Sequence, residues 1–301
     1  MNISGESFDS SDSLQENIIF STYYSLIFII AVPGNILALW AFFNQDSTSP
    51  SKVFLQHLAI ADTSYILILP MRVVYHLSNG YWPFGHVVCQ LAGFLFYLSM
   101  YCSVYLMSFI SLHRLLAVVL PIKYQSVRKA VYAKVAVGVL WVTAIGSMSP
   151  ILFSKENITS NSTGVCSKLY LEKTSSKALF STIFAFFIPL ITIAASYILI
   201  VVKLRTVRQQ HVKDKAVKMI VVIVIIFLVA FLPYHVSRII YILKSHDHMP
   251  VLRFMSLRRA NRITSALTCV SGVLDPVIYF FLNLAYREKL FQLFKKARRK
   301  Q

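Results

Sequence analysis

The sequence is short of acid and short of charge altogether. Its 301 residues hold 12 Asp and Glu against 30 Lys and Arg, and charged residues make up 14% of the chain. Soluble domains carry about 25%, so an ordinary water-exposed fold is excluded. A cleavable signal is not visible either. The opening MNISGESFDSSDSLQEN is polar and acidic, with no basic flank and no apolar core, and the first apolar run is expected to act as the targeting signal itself. Cysteine is limited to Cys89, Cys102, Cys166 and Cys269, without zinc-ligand spacing. No H-E-x-x-H, G-x-S-x-G or His/Asp cluster is present, which sets a membrane enzyme aside. No catalytic residue is assigned, and no metal ligand apart from a candidate sodium site described below.

What the chain has is apolar surface. It is 56% hydrophobic, with 22 Phe and 16 Tyr. A spanning helix needs about 20 mostly apolar residues, and seven such runs occur, at 18–43, 53–77, 87–119, 131–153, 178–204, 217–243 and 260–282. The expected fold class is therefore an all-α membrane protein, a seven-transmembrane helix bundle. Residues 1–17 precede it and residues 283–301 follow it. In the last stretch Leu290, Phe291, Leu293 and Phe294 recur at helical spacing among Lys and Arg, which reads as a short amphipathic helix lying on an anionic inner leaflet.

The net charge of +18 does not point to nucleic acid, because the cations lie in short pockets between apolar runs rather than on one soluble face. Lys123, Arg128, Lys129 and Lys134 follow the third run, and Lys203, Arg205, Arg208, Lys213, Lys215 and Lys218 link the fifth to the sixth. The N-terminal segment has Glu6, Asp9, Asp12 and Glu16 and no Lys or Arg. The bias of cytoplasmic loops toward Lys and Arg places the N-terminus outside and the C-terminus inside. The N-x-S/T glycosylation acceptors Asn2, Asn157 and Asn161 then all fall outside.

Polar groups inside a membrane are costly and mark function or helix–helix contact. Asp62 and Ser103 sit at similar depth in the second and third runs, and Ser271 and Asp275 in the seventh. Two carboxylates and hydroxyls at one depth can hold a hydrated cation or share a proton. Pro70, Pro150, Pro189, Pro233 and Pro276 are candidate hinges. In the outer halves, Arg72, Tyr75, Tyr97, Tyr101, His235, Arg238 and Arg262 combine cations with tyrosines. His235 and Arg238 share a helical face, as do Arg258 and Arg262, and Tyr97 and Tyr101. This set suits a small ligand carrying phosphate or carboxylate. The rival reading is arginine reaching to lipid headgroups, strongest for Arg258 and Arg259, with His235 a core residue.

Taken together, GN at Gly34–Asn35, LAIAD ending at Asp62, Cys89, Arg114, Trp141, Pro189 with Tyr197, FLPYH around Pro233, and DPVIY from Asp275 to Tyr279 resemble the rhodopsin-like (class A) G-protein-coupled receptors. WPFG at 82–85, FLPYHVSR at 231–238 and LDPVIYFF at 274–281 are similar to its nucleotide and lipid-mediator, purinoceptor-like branch. The resemblance implies a receptor at the plasma membrane that binds an extracellular ligand between the outer helix halves and activates a heterotrimeric G protein. It implies a Cys89–Cys166 disulfide and an inner cleft of Arg114, Tyr197 and Tyr279, with Pro121 and Ile122 docking the G protein. It further implies a sodium ion at Asp62, Ser103 and Asp275 as the sole cofactor-like group, and membrane lipids as neighbours. Phe231 stands where many relatives have Trp. Residues 284–301 hold no cysteine for palmitoylation, and residues 285–301 hold no Ser or Thr for phosphorylation.

The stretch SLHRLLAVV departs from the family. Most relatives place an acid before the arginine, and the two pair at rest. Here His113 stands there and supplies no anion. The matching acid at the inner end of the sixth run is replaced by Lys213, with Asp214 beside it. The expectation is a receptor with raised signalling in the absence of ligand. The rivals are pairing of Arg114 with Asp214, a ligand-binding protein that does not signal through a G protein, and a cation channel or transporter built on Asp62 and Asp275. Transporters usually carry internal repeats, and none is visible.

Overall fold

The computed structural model describes residues 4–45, 49–153, 166–171, 176–205, 210–244 and 250–298, and the described residues form helices joined by turns. Seven helices are long and apolar enough to cross a bilayer: Leu14–Phe43, Pro50–Leu77, Gly85–Val119, Ala130–Phe153, Ala178–Leu204, Val217–Lys244 and Phe254–Leu282. A bilayer interior offers no water to backbone N–H and C=O groups, so runs this apolar must satisfy them within a helix. The first helix starts at Ser4, so the polar residues before the first span continue its helix. The acceptors Asn2, Asn157 and Asn161 lie outside the described residues.

The third span is the axle of the bundle. In it 72% of the apolar window is buried, against 11% in the fourth span. Val142, Ile145, Ile29 and Ile191 point outward, a surface that only lipid tails tolerate at this density. The first and seventh spans meet at Gly34, where an added Cβ would stand 2.8 Å from the Pro276 ring. Beside it the Asn35 amide donates to the Gly272 carbonyl at 2.8 Å. That close approach explains the GN pair.

The helical breaks do not fall where proline alone would put them. The second span is interrupted at Leu67 and Ile68, just before Pro70. The sixth opens into a π turn over Phe227–Phe231, and the α-helix resumes at Leu232. Pro233 lacks an N–H and crowds the carbonyl four residues back, so the strain is taken up on its N-terminal side. Pro150, Pro189 and Pro276, expected as hinges, each lie within an uninterrupted helix. The seventh span breaks instead at Thr268 and Cys269, between Val251–Leu267 and Val270–Leu282.

After the seventh span, Asn283 adopts an extended conformation. Its side-chain oxygen accepts from the Tyr286 N–H at 3.0 Å. This is an N-cap, and it starts the expected amphipathic helix at Leu284–Arg298. Leu290 packs against the core while Phe291 is exposed. The Lys289 ammonium lies 4.4 Å over the Trp40 ring. The side chains of Leu293 and Phe294 lie outside the described set.

Candidate functional site

Two ends of the bundle concern function, and a buried carboxyl pair lies between them. At one end Cys89, near the start of the third span, is joined to Cys166 by a disulfide. The chain then runs inward over the helix ends. Gly93 permits this, because an added Cβ there would stand 2.8 Å from the Lys168 carbonyl. The next three residues enter the space between the helices, and Leu169 and Tyr170 are buried.

The arginines expected at this end converge on that segment. Arg72 is fully buried. Its Nη2 donates to the Leu169 carbonyl at 2.8 Å and its Nη1 to the Tyr24 hydroxyl at 3.1 Å. Its guanidinium lies 4.0 Å over the Phe96 ring, a favourable desolvated cation–π geometry. The Tyr97 hydroxyl also donates to the Leu169 carbonyl, at 3.3 Å. Arg238, buried in the sixth span, donates from Nη1 to the Leu171 carbonyl at 2.7 Å. The Tyr170 carbonyl accepts from Asn261 Nδ2 at 3.0 Å. The Tyr170 ring sits between two guanidiniums, 5.0 Å from Arg72 and 5.4 Å from Arg262. Its hydroxyl bonds His76 Nε2 at 2.7 Å and contacts the Tyr24 hydroxyl at 3.3 Å. Burial holds this phenol well above its ordinary pKa, so it stays neutral.

Arg72, Tyr97, Arg238 and Arg262 are thus brought together, and three further residues belong with them. His76 lies four residues past Arg72 and so shares its helical face, a signal readable in the sequence. Asn261 directly precedes Arg262, and Tyr24 carries no signal beyond being a tyrosine. Tyr75 packs on His76 of that cluster and on Trp82, with ring centroids at 5.1 and 6.3 Å. Tyr101 and His235 form a separate layer. Their rings are 5.8 Å apart, His235 stacks on Phe186 at 4.4 Å, and its Nδ1 bonds the Phe231 carbonyl at 2.8 Å. Arg259 pairs with Glu16 at 2.9 Å on the surface. A cavity of about 470 Å³ beside this pair, lined by Ile19, Phe20, Tyr23 and Ile263, involves none of the residues expected to bind ligand.

Midway, Asp62 and Asp275 are buried. Ser103 donates to Asp62 Oδ1 at 3.4 Å and Tyr279 to Oδ2 at 2.9 Å. No donor from another side chain reaches either Asp275 carboxyl oxygen among the described residues, and the Asp62 carboxyl lies against them, close enough to share a proton. Tyr279, expected in the inner cleft, therefore spends its hydroxyl on Asp62. Ser271 bonds the Thr268 carbonyl at 2.9 Å and takes no part in this cluster.

At the other end His113 contacts Ser51 at 3.4 Å through Nδ1 and packs edge-on against Tyr124 with ring centroids at 5.2 Å. Among the described residues no carboxylate pairs with Arg114, and its Nε has no partner. Ser111 donates to the Tyr197 hydroxyl at 2.7 Å, tying the fifth span to the third one turn from Arg114. Pro121 begins a short helix, Pro121–Val127, on which Ile122 is 87% exposed. The side chains of Lys213 and Asp214 lie outside the described set. Trp141 donates to His57 at 3.1 Å, a structural contact between the fourth and second spans.

Comparison with known proteins agrees with this architecture. Residues 34–279 match the model of the 7 transmembrane receptor (rhodopsin family). The chain is 46% identical over 287 residues to the human uracil nucleotide/cysteinyl leukotriene receptor, covering 92% of the chain and 77% of that protein. It is 30% identical over 291 residues to the mouse cysteinyl leukotriene receptor 1, covering 93% of the chain and 83% of that protein. With a rat purinoceptor it shares 31% identity over 291 residues, 92% of the chain and 77% of that protein.

Proposed function

The chain belongs to the rhodopsin family of seven-transmembrane receptors, and on that footing we propose that it sits in the plasma membrane with its disulfide end outward, binds an anionic extracellular ligand there, and activates a heterotrimeric G protein at its basic end. The observation that carries the ligand reading is the state of the buried guanidiniums. Arg72 and Arg238 are 0% and 3% exposed. Their hydrogen bonds go to carbonyls and a hydroxyl, and among the described residues neither pairs with a carboxylate. A buried cation without a counter-ion is costly, and a phosphate or carboxylate entering from outside would supply one. The names of the similar receptors, nucleotide and leukotriene binders, fit the same ligand chemistry.

Arg114, Tyr197 and the exposed Ile122 carry the coupling side of the proposal. A ligand that prefers one of two bundle arrangements shifts the population toward it. The sixth span pivots at the π turn Phe227–Phe231, where its regular hydrogen bonding is already interrupted. The carboxyl pair fits a sodium ion. Its donors are hard oxygens, and the two Asp275 oxygens that no side-chain donor reaches among the described residues are the atoms a cation would satisfy. Sodium bound there would favour the resting bundle and lower agonist affinity.

The test is a panel of nucleotides, leukotrienes, lysolipids and small carboxylates, scored for G-protein activation in cells expressing the chain and in cells without it. An anionic agonist weakened by Arg72→Ala and Arg238→Ala supports the reading. A neutral or cationic agonist indifferent to both substitutions defeats it.

A further inference from the structure

The first and seventh spans touch where Gly34 meets the Pro276 ring. Toward the disulfide end they part, and the space between them is the cavity of about 470 Å³ beside Glu16 and Arg259. One stripe of each helix builds it. Glu16, Ile19, Phe20 and Tyr23 stand at i, i+3, i+4 and i+7 on the first span, and Arg259, Ile263 and Ala266 at i, i+4 and i+7 on the seventh. These spacings put each set on one helical face. Each stripe carries a single charge at its outer end and apolar or aromatic side chains below it. At about 1.5 Å of rise per residue the cleft runs about 10 Å down the helices, against about 15 Å for one leaflet of hydrocarbon. At its floor the Tyr23 hydroxyl donates to the Ala266 carbonyl at 2.9 Å and joins the two spans again.

The cleft opens toward lipid and not toward the arginine cluster. Ile19 and Ile263 are 68% and 46% exposed, on a surface that the bilayer covers. Phe20 is buried behind them and stacks on His76 with ring centroids at 4.8 Å, which walls the cleft off from Tyr170 and Arg72. Arg262 turns inward to the Tyr170 ring, whereas Arg259 turns to Glu16 with its side chain 54% exposed. An ion pair this exposed holds its members weakly, so each charge still attracts a second counter-ion. A headgroup of one sign would meet a like charge at this mouth. A headgroup carrying both signs would find a partner for each.

We propose that this cleft binds one zwitterionic phospholipid of the outer leaflet, with its phosphate on Arg259, its ammonium group on Glu16 and one acyl chain between Phe20 and Ile263. Charges at the outer end of a span belong at headgroup level, and the apolar stripes below them lie at the level of the chains. The lipid fills the gap between the first and seventh spans and rests on Phe20, the ring on which His76 stacks. The leaflet follows from the orientation proposed above, and the binding does not depend on it.

The test uses the full chain in detergent micelles, titrated with dioleoylphosphatidylcholine or with dioleoylphosphatidylglycerol, and native mass spectrometry counts the lipids retained. Ile263→Trp fills the cleft from a lipid-facing position. Subtracting its count removes lipids held elsewhere, those on the basic end included. Glu16→Arg leaves two cations at the mouth. The expected result is one phosphatidylcholine more on the parent protein than on Ile263→Trp, with no such excess of phosphatidylglycerol. Glu16→Arg is expected to reverse the choice, gaining phosphatidylglycerol that Glu16→Arg combined with Ile263→Trp does not hold. Equal phosphatidylcholine counts on the parent and Ile263→Trp overturn the proposal. So does an excess of phosphatidylglycerol on the parent that matches or passes that of phosphatidylcholine, or a choice that Glu16→Arg leaves unchanged. No agonist or G protein enters the measurement, so failure of the ligand panel above and failure here are distinguishable.

Discussion

The two ends of the bundle treat arginine in opposite ways. Arg72, at the disulfide end, is fully buried, with a carbonyl, a hydroxyl and three aromatic rings around its guanidinium and its Nε without a partner. Arg114, at the basic end, borders Tyr124 and Tyr197 without a carboxylate partner among the described residues. The first is held by the protein's own chain, and on the proposed function the second is the one that a partner holds. A receptor needs this asymmetry. On the proposed function the disulfide end is pre-organised, so that a guanidinium is already desolvated and aimed when the anion arrives. The coupling end must present a cation that a second protein can reach.

The largest effect on this contrast is expected from cutting the covalent tie. Cys89→Ala or Cys166→Ala frees the segment that satisfies Arg72. Loss of a native disulfide typically costs about 2–5 kcal/mol. Surface expression and agonist binding are expected to collapse together, while Cys102→Ala, at a buried free cysteine, leaves both in place. Radioligand binding with a surface-epitope count measures this, and normal behaviour of all three variants would break the contrast at its outer end.

Next in size is Arg72→Ala. It leaves the Leu169 carbonyl to Tyr97 alone and the Tyr24 hydroxyl to Tyr170 alone, and it removes a charge-assisted contact to the proposed ligand, worth about 1.5–3 kcal/mol, or roughly ten- to a hundredfold in agonist potency. Arg72→Lys is expected to recover little, because one ammonium cannot reach both acceptors while lying flat on Phe96. Concentration–response curves on both variants decide it, and full recovery by lysine would reduce Arg72 to a point charge.

A smaller effect is expected midway. Titrating sodium against a non-permeant cation at constant ionic strength is expected to raise the melting temperature of the parent protein and lower agonist affinity. Asp275→Asn is expected to flatten both responses. A parent protein blind to sodium makes the Asp62–Asp275 pair a shared-proton contact only.

Much of this organisation is legible in the residues alone, and the exceptions have physical reasons. Spans are legible because hydropathy reports which residues avoid water: all seven runs are found, the seventh starting earlier than expected, at Phe254 rather than 260. Arg72, Arg238 and Arg262 are legible because charge within an apolar run is rare enough to count. What hydropathy does not report is what fills the space between helices. The position of residues 169–171 depends on a disulfide and on a missing Cβ at Gly93. The sequence points to Pro233 in the sixth span because proline marks the cause, while the π turn Phe227–Phe231 marks where the helix departs from α geometry. The family resemblance points Tyr279 to the inner cleft, whereas its hydroxyl goes to Asp62.

The smallest energy and the sharpest test both lie at the basic end. A partly exposed ion pair is worth only about 0–1 kcal/mol, yet a balance of a few kcal/mol between two bundle states would register it. His113 gives Arg114 no anion, and His113→Asp would supply one. The measurement is guanine-nucleotide exchange on purified G protein by receptor in nanodiscs without ligand, normalised to receptor number. The account predicts a basal rate above that of receptor-free discs, lowered by His113→Asp and abolished by Arg114→Ala. A basal rate equal to receptor-free discs and unmoved by His113→Asp would contradict it.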